Sequence, residues 1–378
     1  MRGARETVRL VLLVTLGSVA FLGCQSEVTG YPRVFYSDAS WISRPISYWE
    51  ADIRKHWGSL VDPVATAEFQ AALGSVQGVQ TPWFTTNENS FPVYVVKDGD
   101  PDLIEITLAD GWICPIGTYM TIRAPKHLRP PGPEGIDQHL SIVDLSRGIL
   151  YTFYDYRTAA LNGTVYTSRW HGCDLVTVDL AKQLELESFR WSCTENSDPD
   201  AWSNCGMRGI GAGLTTAGAV TTAGTSGAAG TIMPEDFSFP DGTLGHALTC
   251  TLPAEMLNGF TWPTKQWQAQ TPGKHIRLGS ILAIDAALDI DAIPDAPDWE
   301  KRVLKTWQKY GCVVRDNGMG PCMNGQADWA GRGGPEVDAW AGILPPGSRW
   351  SNGAVPLRHF PWASVKVLHP NGKVIAAK

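Results

Sequence analysis

Short β-branched and aromatic runs, separated by clusters of Gly, Pro, Asp and Asn, recur along most of this chain and set its class. Phe91-Pro-Val-Tyr-Val-Val and Leu103-Ile-Glu-Ile-Thr-Leu are two of them; His139–Leu145, Ile149–Tyr156, Asp174–Leu180 and Ser188–Ser192 are others. Runs of this length bounded by turn residues read as strands. The 39 Gly and 26 Pro among 378 residues supply the turns such strands need, and they leave little room for long helices. Two helices nevertheless stand out. Asp62 is a good N-cap, Pro63 suits the first turn and Gly74 can end the helix. The second has Asp298 as cap, Trp299, Val303, Trp307 and Tyr310 on one stripe, and Gly311 as stop. Cys312-Val-Val-Arg then reads as a strand running into a tight turn at Asp316-Asn317-Gly318. No internal repeat occurs, which weighs against a propeller or solenoid. The expectation is a mainly-β fold, a β-sandwich or jelly roll with a few short helices.

Residues 1–23 are expected to stand apart from this fold. Arg2, Arg5 and Arg9 form a positive region ahead of the 14-residue apolar run Leu10–Gly23, which is shorter than the ~20 residues of a membrane-spanning helix. Phe21-Leu22-Gly23-Cys24 resembles a bacterial lipoprotein signal, in which the cysteine becomes the lipidated first residue. That resemblance implies lipidation at Cys24 and a bacterial cell-envelope location, at the outer membrane or cell surface. Residues 24–45 are then expected to form a tether, and 46–378 a single large β-rich domain with a Gly/Ala/Thr-rich loop at 208–230, a stretch that reads equally as a linker between two domains. Losing three Arg and one Glu with residues 1–23 moves the formal charge from −7 to about −9. An acidic chain without a Lys/Arg-rich run argues against nucleic acid as partner. The 43% hydrophobic and 18% charged content excludes a disordered chain.

In an oxidising compartment the seven cysteines beyond Cys24 are expected to form disulfides before they bind metal. Without a C-x-x-C pair a structural zinc is not expected. Cys193/Cys205 and Cys312/Cys322 are close pairs, each able to tie off a loop, and the odd count leaves a free thiol.

Candidate chemistry gathers at strand ends. In Asp137-Gln-His139-Leu-Ser141, alternation puts Asp137, His139 and Ser141 on one face and Leu140 and Ile142 on the other. An Asp two residues from a His can orient the imidazole; the plainer reading is a strand-starting Asp and a half-exposed His. In the next strand, Tyr151, Phe153 and Asp155 share a face, and Tyr154 and Tyr156 the other. Trp170-His171-Gly-Cys-Asp adds an aromatic and histidine cluster ahead of a further strand. Aromatic rings beside carboxylates suit a sugar-binding groove, and equally suit ordinary sheet packing. Glu235 and Asp236 point in different directions on extended backbone, so at most one faces a given site. His246 opens an apolar run and reads also as a capped core histidine.

The ordered set Asp137-x-His139, Tyr-Thr-Phe-Tyr-Asp155, Pro234-Glu235, Gly245-His246-Ala-Leu and Lys309-Tyr-Gly-Cys-Val-Val-Arg-Asp316-Asn317-Gly318 resembles a family of secreted, mostly uncharacterised microbial proteins. The resemblance covers roughly residues 90–330 and rests on the order of the motifs. Members often accompany carbohydrate-related modules. This chain departs by Thr152, where Glu is usual, and by the long Gly/Ala/Thr insertion.

The expected function is a surface-anchored glycoside hydrolase acting on an extracellular polysaccharide. Asp137, His139, Asp155, Glu235, His246 and Asp316 are its candidate catalytic residues; Tyr154, Tyr156, Trp170 and His171 are candidate substrate contacts. Two carboxyls about 5–5.5 Å apart would serve retention, and about 6.5–9.5 Å apart inversion. A lyase would instead use His139 or His246 with a Tyr. No P-loop, G-x-S-x-G or H-E-x-x-H occurs, and neither metal nor cofactor is expected. The alternative is a non-catalytic glycan-binding or envelope-structural lipoprotein.

Overall fold

The computed structural model describes residues 53–73, 81–87, 90–101, 103–108, 121–129, 139–144, 149–159, 165–177, 184–187, 230–261, 271–318, 320–330 and 337–369, with short pieces at 35–36, 131 and 146. Residues 1–23, Cys24, Asp137, Cys193, Cys205 and the stretch 208–229 lie outside them.

In chain order the first strands are β1 (Phe35–Tyr36), β2 (Trp83–Thr85), β3 (Val93–Val96), β4 (Leu103–Leu108), β5 (Thr121–Pro125), β6 (Leu140–Asp144), β7 (Ile149–Ala159), β8 (Val165–Thr177) and β9 (Leu184–Glu187). They continue with β10 (Leu248–Leu252), β11 (Leu257–Phe260), β12 (Ile276–Leu278), β13 (Ile281–Ile284), β14 (Cys312–Asn317), β15 (Cys322–Asn324), β16 (Ala354–Pro356) and β17 (Val365–Leu368). The first large sheet runs β1-β9-β8-β7-β6-β3, with β4 and β5 joined to it through β8. The second runs β16-β2-β15-β10-β14-β13-β17, and β11 and β12 form a small third sheet. The chain is mainly β. Its sheets are mixed: β3/β6, β4/β8, β2/β15 and β10/β14 pair in parallel beside antiparallel neighbours, a departure from the antiparallel pairing of a jelly roll.

The second sheet holds the main core. Leu248, Cys250, Leu252, Leu282, Ile284, Cys312, Val314 and Met323 pack with Val303, Leu304 and Trp307 of the Asp298–Lys309 helix. Trp307 donates from Nε1 to Met323 Sδ at 3.2 Å, and truncating a tryptophan so placed costs ~3–5 kcal/mol. The expected stripe of this helix is thus the buried one, and Gly311, at φ +78°, stops it. A Cβ there would meet Ile281 Cγ2 at 2.2 Å, so Gly311 also lets the chain pass close to β13. The cap differs from expectation. Pro297, extended at φ −70° and ψ 157°, is the N-cap, and Asp298 is the first helical residue, its charge in the first turn. At the Pro63–Ala72 helix the expectation holds: Asp62 Oδ1 accepts from Ala65 N at 2.9 Å, with Pro63 at the first position.

The segment after β15 joins the two sheets. Gln326 treats the edge strand β3 as a neighbouring strand would: Oε1 accepts from Val93 N at 2.8 Å, and Nε2 donates to Val93 O at 2.8 Å. Ala327, Trp329 and Ala330 follow into the core of the first sheet, against Tyr94, Leu128, Leu140 and Ile142. Gly325 makes this close approach possible, because a Cβ there would lie 2.6 Å from Thr85 O.

Candidate functional site

Among the described residues, His246 and Asp316 do not meet, and Asp137 lies outside the described residues. His246 lies just before β10, while Asp316 stands at the far end of β14, paired with Thr251 of β10. Five residues of extended chain separate the two positions, roughly 16 Å at ~3.3 Å per residue. His246 is fully buried, with Nε2 3.1 Å from Asp236 Oδ2 and Nδ1 2.9 Å from Ala247 O. A carbonyl only accepts, so Nδ1 carries a proton, and a second proton must lie between Nε2 and Oδ2. Asp236 is 2% exposed and also accepts from Met233 N at 2.7 Å. The acid aimed at His246 is therefore Asp236; Glu235 is half-buried beside it in the Pro234–Ser238 turn. Both side chains of this pair are shut off from water.

His139 precedes β6, half-buried, its ring 5.6 Å from Phe91. Phe91 also meets Arg315, whose Cζ lies 5.8 Å from the ring centroid. The β10/β14 register passes from Cys250↔Val314 to Thr251↔Asp316, so Arg315 is the extra residue of a bulge and is turned into the interior, 4% exposed. Asp155, Tyr154 and Tyr156 lie on β7, and Trp170 and His171 lie within β8, not ahead of a strand as expected. Register sets Tyr154 opposite Trp170 and Phe153 opposite His171. The side chains of these five residues are outside the described ones.

Cys312 and Cys322 are free thiols. β10 lies between β14 and β15, with Cys312 opposite Leu248 and Met323 opposite Cys250, so two inter-strand steps alone put the two Cα atoms at least about 9–10 Å apart. A disulfide needs less than about 7 Å, so the expected bridge does not form. Burial pushes both thiols up, Cys322 to about 12, and Cys250 is the thiol that Cys312 meets. Among the described residues no group of three or more His, Cys, Asp or Glu is placed to hold a metal ion.

A different set of residues does converge, where the segment after β15 turns back beside β2. Asp328 N donates to Thr86 O at 2.8 Å, and Ala339 N donates to Asp328 O at 3.0 Å. Thr86 N reaches Gly353 O at 3.1 Å, and Trp350 N reaches Ala354 O at 2.8 Å. Three loop segments are thereby laid side by side. Arg349 spans two carboxylates: Nη2 donates to Asp338 Oδ1 at 2.8 Å, and Nη1 stands 3.7 Å from Asp328 Oδ2. Asp338 Oδ1 also accepts from Trp340 N at 2.9 Å. The environments separate the two acids. For Asp328, burial together with the Asp338 charge outweighs Arg349 and Arg129 and holds its carboxyl above the ordinary range. For Asp338, burial is outweighed by the Arg349 and Trp340 hydrogen bonds, which hold it below.

Aromatic rings frame the pair. Trp329 follows Asp328 and carries Arg129 on its face, Cζ 4.0 Å from the ring centroid. Trp350 is 44% exposed, its ring 6.3 Å from that of half-buried Trp83. Sequence reasoning passed over these residues because they lie in loops without periodicity. The signal was present: acid or Arg beside Trp recurs at Asp328-Trp329, Asp338-Ala-Trp340 and Arg349-Trp350.

The Lys309-Tyr310 motif has a structural use. Lys309 Nζ reaches Asp241 Oδ2 at 2.6 Å, with Tyr310 Oη 3.4 Å from the same oxygen, which fastens the segment before β10 to the helix end. No protein-family model, curated protein or solved structure matches the chain.

Proposed function

We propose that this chain is an exported, lipid-anchored glycoside hydrolase whose acid pair is Asp328 and Asp338. The observation that carries the reading is one guanidinium shared by two carboxylates of opposite tendency, one inclined to keep its proton and one inclined to lose it. Such a divergence assigns acid and base roles in glycosidases. Because both acids touch Arg349, their separation does not exceed the ~9.5 Å upper end of the working window. Asp328 gives its proton to the leaving glycosidic oxygen as the bond to the anomeric carbon breaks. Water supplies the hydroxyl at that carbon, and its proton passes to carboxylate. Asp338, ionised, stabilises the positive charge that develops on the sugar ring. Trp350 and Trp83 offer the apolar faces on which a pyranose stacks.

Incubating the full chain with a panel of extracellular polysaccharides tests this: new reducing ends are expected from at least one, and none from any would overturn it. The exposed Trp350 supports a second reading, a glycan-binding lipoprotein without turnover. That reading expects retention of a glycan, sensitivity to Trp350→Ala, and no product.

A further inference from the structure

Arg129 is held more firmly than a surface arginine needs to be. Its backbone is pinned on both sides by buried Tyr94: Arg129 N donates to Tyr94 Oη at 3.1 Å, and that hydroxyl donates to Arg129 O at 2.9 Å. Its guanidinium lies over Trp329, which is 5% exposed and itself fixed in the core of the first sheet. Arg129 nevertheless faces water, and among the described residues no carboxylate forms an ion pair with it. Arg349, by contrast, is committed to Asp328 and Asp338.

A guanidinium stacked on a ring keeps its in-plane N–H groups free, and this planar fork matches a carboxylate. With ring and backbone already fixed, little freedom remains to be lost on binding. Exposed Lys126, three residues before Arg129 in Lys126-His127-Leu128-Arg129, makes this loop locally basic on a chain of net charge −7. Asp328 adjoins Trp329 in the chain and feels the Arg129 charge, so an anion on Arg129 is placed beside the acid pair.

We propose that Arg129 is the carboxylate-reading residue of this site, and that the glycan it receives is acidic, a uronate-containing polysaccharide. This deepens the hydrolase reading and rests on it for the site's location, but it is read by binding alone.

The test is affinity electrophoresis of the full chain in gels containing alginate, polygalacturonate or hyaluronate, each beside its carboxyl-reduced, neutral form. At least one acidic polymer is expected to retain the protein about tenfold more strongly than its reduced form. R129M is expected to abolish that preference, and R129K to recover only part of it, because an ammonium is a point charge that cannot form the fork. Melting curves confirm that both variants are folded. Equal retention of native and reduced polymers, no retention by any of the three, or an unchanged preference in R129M overturns the proposal. Retention without product would count against hydrolysis and leave Arg129 in place; product with no charge preference would do the reverse.

Discussion

Asp338 Oδ1 accepts from Arg349 Nη2 at 2.8 Å, while the opposite terminal nitrogen of the same guanidinium stands 3.7 Å from Asp328. One cation therefore lowers both acids; at Asp328 burial and the Asp338 charge outweigh it, and at Asp338 the Arg349 and Trp340 hydrogen bonds outweigh burial.

The pH dependence of hydrolysis follows from that asymmetry. Asp338 is displaced below the ordinary carboxyl range and Asp328 above it. If the pair acts as proposed, activity is expected to rise as Asp338 loses its proton and to fall as Asp328 loses its own, which gives a bell-shaped profile. Arg349→Met removes an influence that lowers both acids, so both limbs of the bell move to higher pH. The kcat/KM profile of wild type against R349M measures this, and unmoved limbs would contradict it.

The His246–Asp236 pair is expected to matter for stability. Both residues are out of water, and removing one partner of a buried pair costs ~3–5 kcal/mol because the other is left uncompensated. Urea unfolding of Asp236→Ala checks this; a loss below about 1 kcal/mol would show that the site readily admits water.

Much of the architecture was legible because strand and helix signals are local. The β-branched runs at 91–96 and 103–108 became β3 and β4, and the Asp62 cap was readable from three residues. Boundaries slipped where local chemistry is ambiguous. Pro297 takes the cap ahead of Asp298, and β8 already runs from Val165 through Gly172 to Thr177 where a strand was expected to begin only at Asp174. The site was not legible in that way. Alternation says that Glu235 and Asp236 diverge, but only the fold says that Asp236 faces His246. Likewise, Cys312 and Cys322 are ten positions apart, and nothing local says that β10 comes between them.

Asp241 makes a smaller contribution that depends on pH. Burial opposes its charged form, but the Lys309 and Thr243 hydrogen bonds outweigh burial and hold it below its ordinary value. A depressed folded value means stability present above the unfolded carboxyl range and lost as pH falls through the folded one. Side chains about a quarter to a third exposed keep the effect near 1 kcal/mol or less. The urea midpoint of Asp241→Asn should equal that of wild type at about pH 2 and fall behind it toward neutrality.

The thiols give a direct check of strand order. Unfolding the chain in an alkylating agent, without reductant, should label Cys250, Cys312 and Cys322 alike, since each is free. A peptide pair linked through Cys312 and Cys322 would contradict the placement of β10 between them.

Under the proposed function, Asp328 and Asp338 together carry hydrolysis. The most direct measurement is the rate of reducing-end release by wild type, D328N and D338N on whichever polysaccharide of the panel the wild type cuts. The expected result is a loss of at least ~100-fold in kcat for each variant, with its melting temperature retained. Wild-type rates in either well-folded variant would contradict the assignment.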